Sequence, residues 1–399
     1  MKMWIRKRLD ISTKDLIYGL MHCFTTGFRT SVSDKIQKIW DNDNQTCFIC
    51  LSVRTGFDLL FQALKFEAGG EVLMSALTIT DMPRIIEAHG LKPIPIDLNT
   101  NNLGPTLDKL EAAITHKTKA IVVAHLFGGI VDLDKIVEIA KRHNILVIED
   151  CAQAYYSKTY SGNANADVSM FSFGTIKTAT ALGGAILVFR RNELLVNKIR
   201  KLHSSYPIQI RQEFIKKTLK YLLINFLSSP QIFPLVIKLL TRKSIDYDAY
   251  IHTLSKSFPN GNFFEKIRHQ PSYPLLKLLL YRIETYNFNT IEARIERGNY
   301  LLSNLPKSFT FPGQQAIFQT YWAFPIITDE SQKVIESLRK NGFDATNKNS
   351  LSIVGVTDNN TSAALQNIQS IKNKIVFLPL YAEIPMSELT KMAKCLQKF

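Results

Sequence analysis

An α/β fold is predicted by this 399-residue sequence: a doubly wound, seven-stranded, mostly parallel sheet followed by a smaller α+β C-terminal domain. Between Thr46 and Phe189 short apolar runs alternate with amphipathic stretches, and strands separated by helices pair in parallel with both sheet faces covered. The last two runs are separated only by a Ser/Gly/Thr turn holding one lysine, Lys177, so they must be arranged differently from the rest. Beyond Asn287 the pattern changes to mixed helices and strands, which marks a second, smaller lobe.

The expected strands are 47–53, 71–75, 92–97, 119–125, 145–150, 167–173 and 183–189. Helices are expected over 56–66, 81–89, 106–114 and 132–143, where apolar residues recur at three and four, as in Leu107, Leu110, Ala113 and Ile114. A basic helix runs on to Ser204, and Pro274 suits the first position of a long amphipathic helix that leads into another over 291–302. In the final lobe strands fall near 318–327 and 374–378, and helices over 331–341 and 387–398. The domain reading is therefore an N-terminal arm over 1–45, a large domain over 46–290 and a small domain over 291–399.

Composition excludes whole classes of protein. With 46% apolar residues and ordinary Gly and Pro, the chain is neither collagen-like nor disordered. Five cysteines argue against a disulfide framework and for a reducing compartment. Cys47 and Cys50 read as buried strand thiols, and no His/Cys/Asp grouping has metal-ligand spacing. The basic N-terminus lacks the apolar core and cleavage site of a secretion signal, so a cytoplasmic protein is expected.

The formal charge of +15 is unevenly spread: 201–270 holds eleven Lys/Arg against four Asp/Glu, a local excess of +7. Within the helical insertion at about 208–265, no charge occurs from Tyr221 to Ile237, but Ser228-Ser-Pro230 and Pro234 interrupt it, so a spanning helix is not expected. Two readings stay open: a helical pair over 208–243 packed on its own domain or a partner subunit, or a peripheral contact with the inner membrane face. Both would bury Phe226 and Phe233. No recognition helix or aromatic-studded basic strand points to nucleic acid.

Ligands of open α/β sheets bind at the carboxyl ends of the strands. Three polar clusters fall at such ends: Ser52 to Gly56, Glu149 to Gln153, and Ser172 to Lys177. Lysines do covalent work as Schiff bases when placed between a polar loop and an apolar wall. A pyridoxal 5'-phosphate enzyme needs such a lysine, a carboxylate for the pyridinium nitrogen and donors for the phosphate. Lys177, Asp150 and Ser172, with Arg54 or Thr55, are candidates for the three requirements. His89, His116, His143 and His252 read as helix-end or loop residues, while His125 follows a buried strand and could approach the site.

The run from Leu107 to His125, His125-Leu-Phe-Gly-Gly, Ile148-Glu-Asp-Cys-Ala-Gln-Ala154, Phe171-Ser-Phe-Gly-Thr-Ile-Lys177 and Gly183-Gly together resemble the DegT/DnrJ/EryC1/StrS family of pyridoxal-phosphate sugar aminotransferases. The resemblance implies the aspartate-aminotransferase-like fold type I, a homodimer with sites built across the subunit boundary, and transfer of an amino group, usually from glutamate, to a keto sugar, most often nucleotide-linked, in glycan or secondary-metabolite assembly. It assigns Lys177 to the Schiff-base lysine, Asp150 to the pyridinium partner, Gln153 to the cofactor's 3-hydroxyl and Ser172 to the phosphate. Where the family usually shows Ser-Gly-Thr, this chain has Ser52-Val53-Arg54, and where it commonly has a ring-stacking aromatic, this chain has Ile79. Lys266-Ile-Arg268 is a possible counterpart of the family's Asn-x-Arg segment. Two alternatives stand beside this function: a pyridoxal-phosphate enzyme acting at a membrane on a lipid-linked or hydrophobic ketone, and a non-catalytic sensor or scaffold.

Overall fold

The computed structural model describes residues 2–190, 192–248, 262–348, 350–355 and 363–399; His252 and part of the basic insertion lie outside them. In chain order the N-terminal half comprises α1 (Thr13–Met21), α2 (Arg29–Trp40), β1 (Gln45–Cys50), α3 (Val53–Leu64), β2 (Glu71–Ser75), β3 (Leu77–Ile79), α4 (Asp81–Ala88), β4 (Lys92–Ile96), α5 (Leu107–Ala112), β5 (Thr118–Ala124), β6 (Gly129–Ile130), α6 (Asp134–Arg142), β7 (Leu146–Asp150), β8 (Val168–Ser172) and β9 (Ala185–Arg190). There follow α7 (Glu193–Ser204), α8 (Arg211–Leu227), α9 (Phe233–Arg242), α10 (Phe263–Ile267), α11 (Tyr273–Thr285) and α12 (Asn289–Ser303). The C-terminal elements are β10 (Phe318–Gln319), β11 (Phe324–Ile327), α13 (Ser331–Lys340), β12 (Leu351–Ile353), α14 (Gln366–Lys372), β13 (Ile375–Leu378) and α15 (Met386–Leu396).

Seven strands form the main sheet in the order β1-β9-β8-β7-β5-β2-β4. From β4 to β8 every pairing is parallel, and β9 runs antiparallel to both β8 and β1. The reversal follows from connectivity: only a turn joins β8 to β9, and parallel strands need a longer crossover. Alternate residues then face opposite layers. Phe48, Val72, Val122, Ile148, Met170 and Leu187 pack under α3, α4 and α7. On the other face Ile49, Phe171 and Ile186 meet α1, α2 and α11, while Leu73, Ile121 and Val147 meet α5 and α6.

One boundary departs from expectation in a way that matters. The first strand stops at Cys50, and Ser52 caps α3, its hydroxyl accepting from Thr55 N–H at 3.2 Å. Arg54 and Thr55 therefore sit in the first turn of a helix rather than at a strand end. Residues 13–40 form two helices whose Leu16, Ile36 and Trp40 are core residues, and α1 opens with a capping box between Ser12 and Asp15.

The insertion corrects another expectation. Phe214, Thr218 and Tyr221 form the inner stripe of α8, which packs on α1 and α11, and Phe233 of α9 is buried. Phe226 falls off that stripe and is 64% exposed, together with Leu219, Leu223, Leu235 and Leu239. Among the described residues no helix is long and apolar enough to cross a membrane. All five cysteines are buried free thiols, and Cys47 and Cys50 lie in β1 as expected.

Candidate active site

The lysine turn between β8 and β9 is tightly bonded. Ala181 and Gly183 N–H both donate to the Phe173 carbonyl, Phe173 N–H donates to Gly184, and Gly184 N–H donates to Leu51 beneath β1. Ala179 and Leu182 adopt left-handed backbone, φ +51° and +63°, which is strained for residues with a Cβ. Two hydrogen bonds hold them there: Ala179 N–H donates to Asp10 Oδ2 at 3.0 Å, and Leu182 N–H donates to Thr180 Oγ1 at 3.0 Å. The backbone on either side of Lys177 is thus fixed from the sheet and from the N-terminal segment.

Lys177, Asp150 and Arg54 come together, close enough for each charge to shift another's protonation. Burial pushes the Lys177 ammonium down to about 8, with Asp150 opposing the shift and Arg54 reinforcing it. Burial also raises the Asp150 carboxyl, against the Ala152 N–H that bonds its Oδ1 at 2.9 Å and the nearby Lys177, His125 and Arg54. Lys177 Nζ stands 4.7 Å from the centre of the Trp322 ring, a cation–π contact that also positions the amine.

The remaining candidates are placed less uniformly. Gln153 Oε1 accepts from Phe127 N–H at 2.8 Å, which leaves its amide NH2 as the donor. Ser172 Oγ accepts from Gly174 N–H at 3.4 Å at the end of β8. Arg54 Nε donates to Asp81. The Thr55 side chain is fully buried and its hydroxyl donates to the Ile267 carbonyl at 2.7 Å, so it is bonded inside the fold. Ile79 pairs with Leu351 in the short β3–β12 ladder. Arg268 forms a two-point pair with the buried Asp58 of α3, and His89 reaches the same carboxylate.

His125 is buried and donates from Nε2 to Glu149 at 2.8 Å, while its Nδ1 accepts from Val131 N–H. These bonds specify the tautomer and commit both ring nitrogens. His125, Glu149 and Cys151 place potential ligand atoms within 4.8 Å of one another, a grouping that linear spacing does not reveal. Glu149 also accepts from Asn163 N–H, Ser169 and Tyr160; His125 first, then Ser169 and Asn163, hold its carboxyl down to about 2 despite burial.

Sequence reasoning missed a second set of residues. Lys7, Asp10, Arg294, Trp322 and Tyr381 join Lys177 and Thr178 around one small cavity. They come from the N-terminal segment, α12 and the C-terminal elements, more than a hundred residues from Lys177 along the chain, and no local pattern connects them.

Residues 43–217 match the sequence model of the DegT/DnrJ/EryC1/StrS aminotransferase family. The likeness to this family is carried by that segment. It holds Lys177, Asp150, Gln153 and Ser172 together with all of the large sheet. The chain is 32% identical over 195 residues to the GDP-perosamine synthase of Caulobacter vibrioides, 47% of this chain and 52% of that protein. It is 35% identical over 156 residues to a pleiotropic regulatory protein of Geobacillus stearothermophilus, 37% of this chain and 41% of that protein. The chain thus spans about half the length of the curated relatives it matches. Solved structures share the fold over nearly the whole length. The sugar aminotransferase CalS13 of Micromonospora echinospora superposes with a TM-score of 0.71 at 17% identity, covering 99% of this chain and all of that one. The PLP-form of the putative sugar aminotransferase Spr1654 from Streptococcus pneumoniae gives 0.67 at 15%, covering 98% of this chain and 97% of that one.

The residues present fit pyridoxal phosphate on their donor chemistry. A half-buried lysine with a depressed ammonium, a half-buried carboxylate at the end of β7 and the Ser172 hydroxyl at the end of β8 are groups such a cofactor requires. Lys177 would hold it, Asp150 would face its ring nitrogen, and Gln153 and Ser172 would meet its polar substituents.

Proposed function

We propose that this chain is a pyridoxal-phosphate-dependent aminotransferase that transfers an amino group, from glutamate, to a keto sugar, most often nucleotide-linked, and that it works as a homodimer. The observation that carries this reading is that Lys177, in the turn after β8, lies close enough to Asp150, at the end of β7, for each to shift the other's protonation, inside the matched segment. When bound, the cofactor supplies an electron sink for the carbon that loses or gains the amine. The protein does the rest. Lys177, its ammonium lowered to about 8 by burial, would hold the cofactor and would carry a proton to and from the reacting carbon. Asp150 keeps the ring nitrogen charged, and Gln153 orients the ring through the bond that ties its own amide to Phe127.

The test is direct. Purified protein should show the cofactor's visible absorbance, and glutamate should convert it. Lys177→Ala should abolish that spectrum while its far-UV circular dichroism is unchanged; a Lys177→Ala protein that still turned over donor would sink the reading.

The exposed apolar row of Leu219, Leu223, Phe226, Leu235 and Leu239 favours a second reading, in which this enzyme docks on an anionic membrane through 208–243. Lys216, Lys220, Lys238 and Arg242 lie on the same two helices. Flotation with anionic vesicles compares wild type with a deletion of residues 208–243; equal flotation of the two removes the idea.

A further inference from the structure

Among the described residues, five buried side-chain polar atoms around the cavity beside Lys177 have no hydrogen-bond partner: Lys7 Nζ, Thr178 Oγ1, Arg294 Nη2, Trp322 Nε1 and Tyr381 Oη. Unpartnered buried polar atoms are few in native proteins, and five on one cavity require an explanation. Arginine and indole N–H groups, and a lysine in its ammonium form, can only donate, so an acceptor is what would satisfy them. The charges agree. Lys7, Lys177 and Arg294 meet there, with Arg8 at the rim, whereas the cavity's carboxylate, Asp10, already accepts from Ala179 N–H and from the Tyr286 hydroxyl. Lys7 Nζ lies 2.8 Å from the centre of the Trp322 ring, so one indole carries Lys7 and Lys177 together. The cavity measures about 30 Å³, room for the oxygens of a carboxylate or phosphate but not for a sugar ring.

We propose that Lys7, Thr178, Arg294, Trp322 and Tyr381 form a recognition site for an anionic oxygen group, carboxylate or phosphate, carried by a substrate of the reaction at Lys177. The proposal rests on the aminotransferase reading for the word substrate; the anion site itself rests on the unpartnered donors. Lys7 gives the site a signature. Burial, Lys177 and Arg294 press its ammonium well below the usual lysine range, and Asp10 opposes them. Burial raises the Tyr381 hydroxyl, which therefore remains a donor. An incoming anion draws Lys7 back to its charged form, so binding takes up a proton and tightens as pH falls.

Calorimetry on the full chain saturated with pyridoxal phosphate tests this with two kinds of probe, 2-oxoglutarate and a nucleoside diphosphate. At least one should bind, with a heat that varies with the buffer's ionisation enthalpy. Saturation by the dicarboxylate assigns the site to the amino donor, and saturation by the diphosphate assigns it to the acceptor; either supports the proposal. Lys7→Met and Arg294→Met should weaken that probe by about tenfold or more, as expected for a lost charge-assisted bond. Lys7→Arg should restore it, and Tyr381→Phe and Trp322→Phe, which keep the packing, should weaken it by less. If Lys7→Met and Tyr381→Phe, both folded by circular dichroism, bind the probes as wild type does, the site is overturned. It is also overturned if wild type binds neither probe, or if Lys7→Met loses pyridoxal phosphate in place of the probes, since the anion would then be the cofactor's own. The two readings fail separately: an intact anion site without transamination refutes the enzyme, and transamination with an unmoved KM in Lys7→Met refutes the site.

Discussion

Removing the charge of Asp150 should make Lys177 a weaker base, and removing that of Arg54 should make it a stronger one. With its ammonium held down to about 8, roughly one Lys177 in eleven is neutral at pH 7, against roughly one in three thousand for an ordinary lysine. Burial supplies the downward pressure, Asp150 resists it and Arg54 adds to it. Asp150→Asn should therefore carry the midpoint below about 8, and Arg54→Ala should carry it upward. The assay is trace acetylation of cofactor-free protein across pH, with mass spectrometry of the Lys177 peptide scored against surface lysines of the same molecule. Wild type should show a midpoint near 8 and, at pH 7, a reactivity far above that of the surface set. A midpoint in the ordinary lysine range, or an Asp150→Asn midpoint that rises, refutes the reasoning.

Glu149→Gln exchanges a buried carboxylate with four donors for an amide and should destabilise by about 2–4 kcal/mol, read as a fall in melting temperature. Because its carboxyl is held down to about 2, the stability Glu149 contributes is present above the ordinary carboxyl range and is lost as pH falls toward 2; acid melts of wild type and variant should converge there. Gly128 has φ +94°, and a Cβ on it would stand 2.6 Å from the Trp322 backbone nitrogen, so Gly128→Ala should destabilise and shift the Trp322 fluorescence. An unchanged spectrum and melting temperature would show that the neighbouring backbone gives way freely. Arg6→Ala leaves Asp344, whose side chain is wholly buried, without its guanidinium; a loss of about 3 kcal/mol or more is expected in denaturant unfolding, and a loss under 1 kcal/mol would refute it.

The periodic parts of the fold were legible. Alternating apolar runs located all seven main strands because a sheet buried on both faces leaves a continuous hydrophobic record. The boundary at Ser52 was misread because a capping serine and a strand-end serine look alike until the Thr55 N–H is seen to turn back on it. Asp150 stood out as a candidate because it ends an apolar run, and Lys177 because it is the lysine in the turn between two such runs. Lys7, Arg294 and Trp322 were not, since what joins them is long-range packing around Lys177 rather than spacing. Phe226 shows a further limit: an apolar residue on a helix says that a surface exists for it, not that its own chain provides one.

The first ten residues also bear on motion. Arg6 pairs with Asp344 and Trp4 N–H bonds to Gly342, at the end of α13, while Asp10 holds Ala179 two residues beyond Lys177. Between Arg6 and Asp10 lie four residue steps, a reach of about 14 Å when fully drawn out. The segment is therefore a leash of known length between the lysine turn and the C-terminal elements. Any opening that separates them further must first release one end. Letting go at Asp10 would free the strained Ala179 and loosen the backbone beside the reactive amine, so entry to the site and the set of its lysine would be mechanically linked.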